Sequence, residues 1–378
     1  MDVDAPRGLL RFFQDLPDPR AANARHRLVD IMAIALMAVL SKAQDWIEVE
    51  AWGLANELWL ATFLDLPHGI PSHDTFSRVF ARLAPQTFEG VFRAWMNALQ
   101  KASDGQLIAI DGKTLRRSFQ VAGAKSAVHM VSAWAPLNHV VLGQLATEAK
   151  SNEITAIPKL LKLLDLKGAT VTIDAMGCQK EIARQIVKAG GHYLLAIKDN
   201  QPTLHEGVKF LFDEAIAHGC EGLARALHQE VEADHGRMET RRCWSTREVA
   251  WFQDRAQWEG LGSFVCVECA REVMGGQTST ERRYYISSHN GQDAAFLAQA
   301  VRAHWGIENR LHWCLDMCFQ EDQCRVRQGH GAQNLSRLRR IALNLLRRNQ
   351  TRKGSLKTKR FLCSCDRQFL LDVLLGLT

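Results

Sequence analysis

The spacing of hydrophobic residues changes near residue 106 of this 378-residue chain, and that change limits the folds open to it. Before it, apolar residues recur with a helical period over residues 28–43, 46–64, 74–83 and 85–101. After it, apolar runs at residues 107–113, 127–135 and 139–147 have the length and composition of strands. The pattern predicts an all-helical amino-terminal domain over residues 1–102, followed by an α/β unit.

The order of helices and strands after the third strand reduces the number of possible topologies for the α/β unit. A helix is predicted at 154–164, a strand at 169–174, a second helix at 179–188 and a fifth strand at 192–198. Because helical crossovers join parallel strands, the fourth and fifth strands should run parallel to the first, next to an antiparallel meander. This order predicts an α/β fold with a ribonuclease-H-like mixed five-stranded sheet and flanking helices.

Four more strand-like runs, at residues 229–232, 239–245, 264–269 and 282–287, interrupt this fold before a long helix predicted at 291–319. We therefore expect a core made of residues 103–227 and the last core helix within 291–324. A β-rich insertion at 228–290 separates the two parts. A basic carboxyl-terminal helical segment at 325–378 follows them.

Positive charge is concentrated in that last segment. The chain has 47 Lys and Arg against 41 Asp and Glu, a net charge of +6. Thirteen of the basic residues and one acid, Asp366, lie between Arg325 and Arg367, so the rest of the chain is net negative. This asymmetry predicts a polyanionic partner, either nucleic acid or an anionic membrane surface. A membrane is the weaker choice, because the longest apolar run, Ile31–Leu40, falls short of the roughly 20 residues that span a bilayer.

Two basic elements are candidates for DNA contact. The helix predicted over residues 335–348 has an apolar stripe, and its other side carries the arginines that would meet phosphates, Arg337, Arg340, Arg347 and Arg348. A break at residues 69–76 precedes a helix with Arg78 and Arg82, which gives the outline of a helix-turn-helix. Packing alone would give the same outline.

The amino terminus carries acids where a secretory signal would carry positive charge, so we expect a cytoplasmic protein. The ten cysteines are then expected to be reduced thiols. Cys266 with Cys269, and Cys363 with Cys365, have the spacing of zinc half-sites, but neither pair has a second pair at zinc-finger distance.

Two carboxylates are placed where they can carry chemistry. Asp111 lies inside the first strand, in an otherwise apolar run where an acid without a partner is costly. Asp174 ends the fourth strand, which is predicted to lie beside the first, although alone it is more typical of a helix cap. Together they are expected to share a metal ion. Lys113 shares a strand face with Asp111 and is expected to contact a phosphate.

The third candidate carboxylate is Glu308. It belongs to a set of polar residues at steps of four on the long helix, next to Trp305 and Trp313: His304, Glu308, His312 and Asp316. This face is either a solvated stripe, with Glu308 paired to a neighbouring arginine, or the cover of a site. A zinc-hydrolase site is disfavoured because the HExxH signature is missing. Three converging carboxylates suit Mg²⁺, or Mn²⁺, and two such ions can cut a phosphodiester.

Six motifs in order resemble those of the insertion-sequence transposases that include the H-repeat-associated proteins of enteric bacteria. They are IAIDGKTLR at 108–116, KSNEITAIP at 150–158, TIDAMGCQ at 172–179, DHGRMETR at 234–241, YYISS at 284–288 and HWGIENRLHW at 304–313. The likeness covers nearly the whole chain, and residues 17–20 and 71–75 are similar to the helical domain of that family. The resemblance implies a DDE transposase whose catalytic and metal-binding triad is Asp111, Asp174 and Glu308.

One departure limits what the resemblance implies. Related transposases with a β-rich insertion carry a Tyr, an Arg and a Lys around the last Glu, at positions that are Val301, His304 and Leu315 here. Their DNA contacts, and a hairpin intermediate, are therefore not carried over. The DNA-binding residues predicted instead outside the basic carboxyl-terminal segment are Lys113, Arg116, Arg237, His304, Asn309 and His312.

The expected function is DNA transposition. Such a protein binds the terminal inverted repeats of its element as a homodimer or higher oligomer, hydrolyses a phosphodiester with two metal ions, and transfers the freed 3′-hydroxyl end to target DNA. Two alternatives stay open: a catalytically silent DNA-binding relic of a mobile element, and a ribonuclease-H-like nuclease that cuts without joining.

Overall fold

A computed structural model of the chain describes residues 8–99, 106–119, 126–147, 152–221, 223–234, 237–273 and 278–376. Within these described ranges, five helices precede the first strand. They are α1 (Leu9–Gln14), α2 (Leu28–Leu40), α3 (Trp46–Leu60), α4 (His73–Arg82) and α5 (Pro85–Leu99). Every residue of the apolar run Ile31–Leu40 in α2 is at most 1% exposed, so this helix is a core element. Among the described residues, no helix is both long and apolar enough to cross a membrane.

The connection between α3 and α4 does not form a helix-turn-helix. It spans residues 61–72, whereas the turn of that motif has about 3–4 residues. The α4 helix packs on α3 and presents Phe76, Val79 and Phe80 to the core. The helix-turn-helix expectation is therefore wrong, and the packing alternative accounts for the pattern.

The first five strands have the predicted directions. Strands β1 (Leu107–Leu115), β2 (Val128–Ala135) and β3 (Val140–Ala146) form an antiparallel meander. Strand β4 (Thr170–Ile173) lies parallel to β1, and β5 (His192–Ile197) lies parallel to β4. The crossovers are α6 (Glu153–Leu161) and α7 (Lys180–Lys188), which are in mutual contact.

Among the described residues the sheet has nine strands, so the predicted five-stranded sheet is too small. After α8 (Pro202–Ala217) come β6 (Arg225–Asp234), β7 (Arg237–Thr246), β8 (Ser263–Val273) and β9 (Ser279–Ser287). These predicted insertion strands join the same sheet, in the order β3-β2-β1-β4-β5-β9-β8-β7-β6. Four residue pairs join β5 to β9. The open edge of β5 has backbone groups that need partners, and β9 supplies them.

The predicted long helix is interrupted by a wider turn. Helix α9 (Ala294–Gly306) continues into a π-helical segment, Ile307–His312, and then into α10 (Trp313–Phe319). Single π turns inside helices are frequent at functional sites. The chain ends in α11 (Gly331–Arg348), α12 (Leu356–Cys365) and α13 (Arg367–Leu374).

Helix α11 is a central helix, which corrects the expectation that its arginines face solvent. It packs on α2, α4, α5 and β3, and residues 331–346 are buried except for Gln333, which is half-buried. Arg337 and Arg340 are 1% and 0% exposed. Their guanidinium groups are paired with buried carboxylates, because Arg337 Nε lies 2.7 Å from Glu89 and Arg340 Nη1 lies 2.9 Å from Glu321.

The carboxyl end of α11 is less deeply buried than its centre. Arg347 and Arg348 are half-buried there. Arg347 donates a hydrogen bond to the backbone oxygen of His139 and lies 4.6 Å above the Trp134 ring. Arg347 is thus engaged with the β2–β3 turn rather than pointing freely into solvent.

Candidate active site

Two of the predicted carboxylates lie side by side in the sheet. Ile110 of β1 pairs with Ile173 of β4 in parallel register, and the next residue of each strand is Asp111 or Asp174. Asp174 accepts a 3.3 Å hydrogen bond from the backbone N–H of Gly177 and caps a short 3-10 turn. The capping role and the position beside Asp111 therefore coexist.

A third carboxylate, Glu153, completes the cluster, and it was not among the predicted site residues. One oxygen from each of Asp111, Glu153 and Asp174 lies within 4.8 Å of the other two. Glu153 occupies the first turn of α6. The signal in the sequence is weak, since a glutamate in a first helical turn is favourable at any helix. The motif at 150–158 pointed to this segment without giving the residue a role.

Glu308, the third predicted carboxylate, does not belong to this 4.8 Å cluster. It is exposed and belongs to the π-helical segment. Its charge nevertheless acts on Asp111: burial, followed by the charges of Glu153, Asp174 and Glu308, raises the pKa of Asp111 to about 7. Burial, together with Glu153, also raises the pKa of Asp174. Both strand aspartates are therefore harder to ionise than free carboxyl groups.

Two predicted histidines of the long helix face the sheet. His312 Nδ1 lies 3.5 Å from Asp111 Oδ2, and His304 Nδ1 lies 3.0 Å from the hydroxyl of Thr172 in β4. Burial lowers the pKa of His312 to about 3 and that of His304 to about 4, so both are neutral near pH 7. His304 and His312 thus contact the sheet rather than belonging to a solvated stripe, whereas Glu308 of the same set is exposed.

Lys113 forms ion pairs with two carboxylates, which corrects the expectation that it contacts a phosphate. Its side chain is 8% exposed, and Nζ lies 2.8 Å from Asp316 and 2.7 Å from Asp322. Arg116 also reaches Asp322, at 3.1 Å, but is 79% exposed. The strand-face argument placed Lys113 correctly beside Asp111. The acids that bind it come from α10 and the turn after it, about 200 residues away in sequence, where no local pattern reveals them.

The cluster fits a divalent cation with oxygen ligands. It offers carboxylates alone as donors, which is the ligand type preferred by Mg²⁺ and Mn²⁺. His312 Nε2 is buried and has no hydrogen-bond partner among the described residues. Burial, and after it the charges of the neighbouring carboxylates, raises the pKa of Asp111, and a bound cation would favour its ionised form.

A groove of about 700 Å³ opens beside the helix that carries Glu308. It runs between that helix, the strands β6–β9 and the β2–β3 turn. Two of the predicted DNA-binding residues, Arg237 and Asn309, line it. Seven arginines and three glutamates contribute to its walls: Arg237, Arg241, Arg242, Arg271, Arg283, Arg302 and Arg310, with Glu230, Glu239 and Glu281.

An aromatic side chain lies in the same groove. Trp305 is 38% exposed, and the guanidinium of Arg283 lies 4.1 Å from its ring centroid. Excess positive charge beside an exposed indole is typical of surfaces that bind a nucleic-acid backbone and stack on a base.

Comparisons with known proteins agree with the motifs. Residues 10–96 match a family described as DDE_Tnp_1-associated, and residues 102–345 match the Transposase DDE domain. The chain is 42% identical over 373 residues to "Putative transposase YncI" of Escherichia coli O157:H7, covering 97% of this chain and 94% of the relative. It is 38% identical over 375 residues to "H repeat-associated putative transposase YhhI" of Escherichia coli strain K12, covering 97% and 98%.

Among solved structures, the piggyBac transposase synaptic complex with hairpin DNA aligns with 98% of this chain and 77% of its own. Its TM-score of 0.43 and 9% identity are too low to bear on the fold or the site. The sequence matches stand by themselves, since the DDE domain match alone spans well over half of the chain. The chain therefore belongs to the family of transposases with a DDE domain, together with the H repeat-associated transposases of Escherichia coli.

Proposed function

We propose that the protein is the transposase of an insertion sequence. It binds the terminal inverted repeats of its element, cleaves a phosphodiester at each end and transfers the 3′-hydroxyl to target DNA. The observation that carries this proposal is the meeting of Asp111 and Asp174 at neighbouring parallel strands, with the carboxylate of Glu153 within 4.8 Å of both. The charge of Glu308 also acts on Asp111.

Asp111, Asp174 and Glu308 would hold the divalent cations. Bound there, Mg²⁺ or Mn²⁺ would lower the pKa of an attacking water or 3′-hydroxyl and would neutralise charge on the leaving oxygen. Around them, the neutral rings of His304 and His312 keep one face of the site closed by packing on the sheet. The exposed position of Glu308 gives the site an open side toward DNA.

The basic groove would position the DNA. Arg237 and Asn309 lie on its wall, and Asn309 directly follows Glu308 in the chain. A phosphate backbone held by these side chains would therefore pass the acidic cluster on the side of Glu308. Each arginine that neutralises a phosphate adds to affinity without adding sequence preference.

The test uses a linear duplex that carries one end of the parent element, with Mg²⁺ and a supercoiled target. We expect a nick at the element end followed by joined product. Alanine at Asp111, Asp174 or Glu308 should abolish cleavage while DNA binding is retained. Cleavage near the wild-type rate would remove that residue from the triad. Cutting without joined product would favour a nuclease, and binding without cutting a silent relic.

The two ends of an element have to be brought together before joining, so we also propose that the active form is at least a dimer on DNA. Light scattering on the complex with end DNA should give a mass of two or more protein chains. A complex with one protein chain that still joins both ends would exclude this.

A further inference from the structure

We propose that Glu153 is a metal-binding carboxylate of this site and that His129 is the residue that positions it. The inference rests on the proposed function, because it adds a ligand to the same metal centre. It changes the expected ligand set, in which the third carboxylate is Glu308.

The first observation is the place of Glu153 relative to the strand carboxylates. Its side chain is 12% exposed, whereas Glu308 is exposed to solvent. An oxygen of Glu153 lies within 4.8 Å of one oxygen on each of Asp111 and Asp174, a spacing that one ion can bridge. Three carboxylates gathered this closely, at the edge of the core, repel one another unless a cation joins them.

The second observation is a chain of hydrogen bonds that fixes the orientation of Glu153. His129 Nε2 lies 2.7 Å from Glu153 Oε1, and His129 Nδ1 lies 2.8 Å from the hydroxyl of Thr114. His129 and Thr114 are directly paired residues of β2 and β1. One oxygen of Glu153 is thereby held, and the other is left for an ion. Partners that hold a ligating carboxylate in this way are a regular part of metal sites.

The third observation is the space that the backbone leaves for this pair. A Cβ built on Gly112 would lie 2.1 Å from Glu153 Oε1 and 2.4 Å from His129 Nε2. Any side chain at position 112 would therefore displace the pair. Because Gly112, which follows Asp111, has no side chain, the Glu153 carboxylate can approach the strand that carries Asp111.

Among the described residues, no lysine or arginine forms an ion pair with Asp111, Glu153 or Asp174, whose ion-pair contacts are to histidines. Lys113 lies on the same strand as Asp111 but is bound by Asp316 and Asp322. The ring of His129 contacts Glu153 on one side and the hydroxyl of Thr114 on the other. The negative charge of the cluster thus points to a cation that enters from solution.

The experiment measures Mn²⁺ binding to the full chain without DNA, by electron paramagnetic resonance of the free ion. We expect Glu153→Gln to weaken binding at least tenfold, and His129→Ala to weaken it about 10–100-fold. His129→Gln should lose less, because its amide N–H can still donate to Glu153. The control is Glu181→Gln, a glutamate in the first turn of α7 that is 69% exposed and paired with Arg184. It should bind Mn²⁺ like the wild type.

The outcomes separate this inference from the proposed function. If Asp111→Asn weakens binding and Glu153→Gln does not, Glu153 is no ligand while the transposase proposal stands. If the wild type binds no Mn²⁺ and cuts no end DNA, both fail. Removing one of several repelling carboxylates should leave the metal-free protein as stable as before. A Glu153→Gln chain that cannot fold, or unfolds at clearly lower urea, would show a structural role and overturn the proposal.

Discussion

Asp111 and Glu153 show what the sequence can reveal about a single side chain. An acid inside an apolar strand is unusual, so Asp111 could be singled out without the structure. Glu153 could not, because its position in a first helical turn is common. Its nearness to Asp111 depends on how α6 crosses back over the sheet, and on Gly112 being free of a side chain.

Lys113 should contribute to stability rather than to DNA affinity. Lys113→Gln leaves Asp316 and Asp322 without their shared cation, and we expect a loss of about 2 kcal/mol in the free energy of unfolding. Urea unfolding followed by circular dichroism measures it. Arg116→Gln is the control. Arg116 also pairs with Asp322 but its side chain is 79% exposed, so its loss should lower the free energy of unfolding by less than about 1 kcal/mol. Equal losses for the two variants would contradict this assignment.

Asp30 should make the protein less stable as pH rises. It is 4% exposed in the first turn of α2, and burial raises its pKa to about 6 from 3.8. The folded chain therefore keeps a proton that the unfolded chain has lost, and its contribution to stability falls as pH rises between those values.

We expect Asp30→Asn to stabilise the protein by on the order of 2 kcal/mol at pH 7.5 and by much less at pH 4. Urea unfolding at the two pH values measures the difference. Asp199→Asn, at a fully exposed aspartate, is the control and should show no such dependence. A gain from Asp30→Asn that is equal at both pH values would count against a buried, protonated carboxyl.

At the scale of elements, helix α11 could be predicted from the sequence, but its burial could not. Its apolar stripe predicts a helix, and the structure has one over Gly331–Arg348. The same stripe does not say what covers the arginine face. The covering carboxylate Glu89 lies 248 residues away in sequence. In the sequence, a helix face of arginines has the same pattern whether it contacts water or buried acids. The prediction that these arginines face solvent was wrong because the acids come from distant parts of the chain, which a short stretch of sequence does not include.

The buried arginines should therefore be structural. Arg340→Met leaves Glu321, itself 2% exposed, without its cation, and we expect a loss of about 3–5 kcal/mol in the free energy of unfolding. Arg348→Met, at the half-buried end of the same helix, should cost far less. Urea midpoints compare the two. Removing the chain after residue 333 should yield insoluble protein, because most of a central helix is lost with it.

The π-helical segment explains how the polar residues of the long helix stay aligned. An α-helix completes a turn in about 3.6 residues, so residues spaced by four drift around it. The wider turn over Ile307–His312 reduces that drift. His304, His312 and Asp316 consequently all reach the sheet, at Thr172, Asp111 and Lys113. The spacing of four suggested a shared face, but the wider turn that maintains it has no signature in the sequence.

At the scale of the whole molecule, the sequence predicted each strand better than its place in the sheet. The four insertion strands were expected, but as a separate unit. These strands join the main sheet because β9 pairs with the free edge of β5. No local sequence pattern indicates that this edge is free. The helical amino-terminal region likewise shares one hydrophobic cluster with the sheet and α11, as Phe88, Ile110 and Leu338 show.

The groove should carry much of the DNA affinity. We expect the double variant Arg237→Gln, Arg271→Gln to weaken binding to any duplex, and to reduce the slope of log K against log salt by about 2. Fluorescence anisotropy at several salt concentrations measures both. Arg184→Gln, an exposed arginine on α7 outside the groove, should leave the slope unchanged. An unaltered slope in the double variant would place the DNA elsewhere.

The unbroken ladder from β3 to β6 has a mechanical consequence. The strands that form the groove cannot swing as a separate body, because four residue pairs tie β9 to β5, which pairs in turn with the strand leading to Asp174. If DNA lies in the groove as proposed, the protein is the stiff partner and the duplex must bend to meet it. Element ends with easily kinked pyrimidine–purine steps beside the cut would then be processed faster than stiff A-tracts with the same flanking contacts.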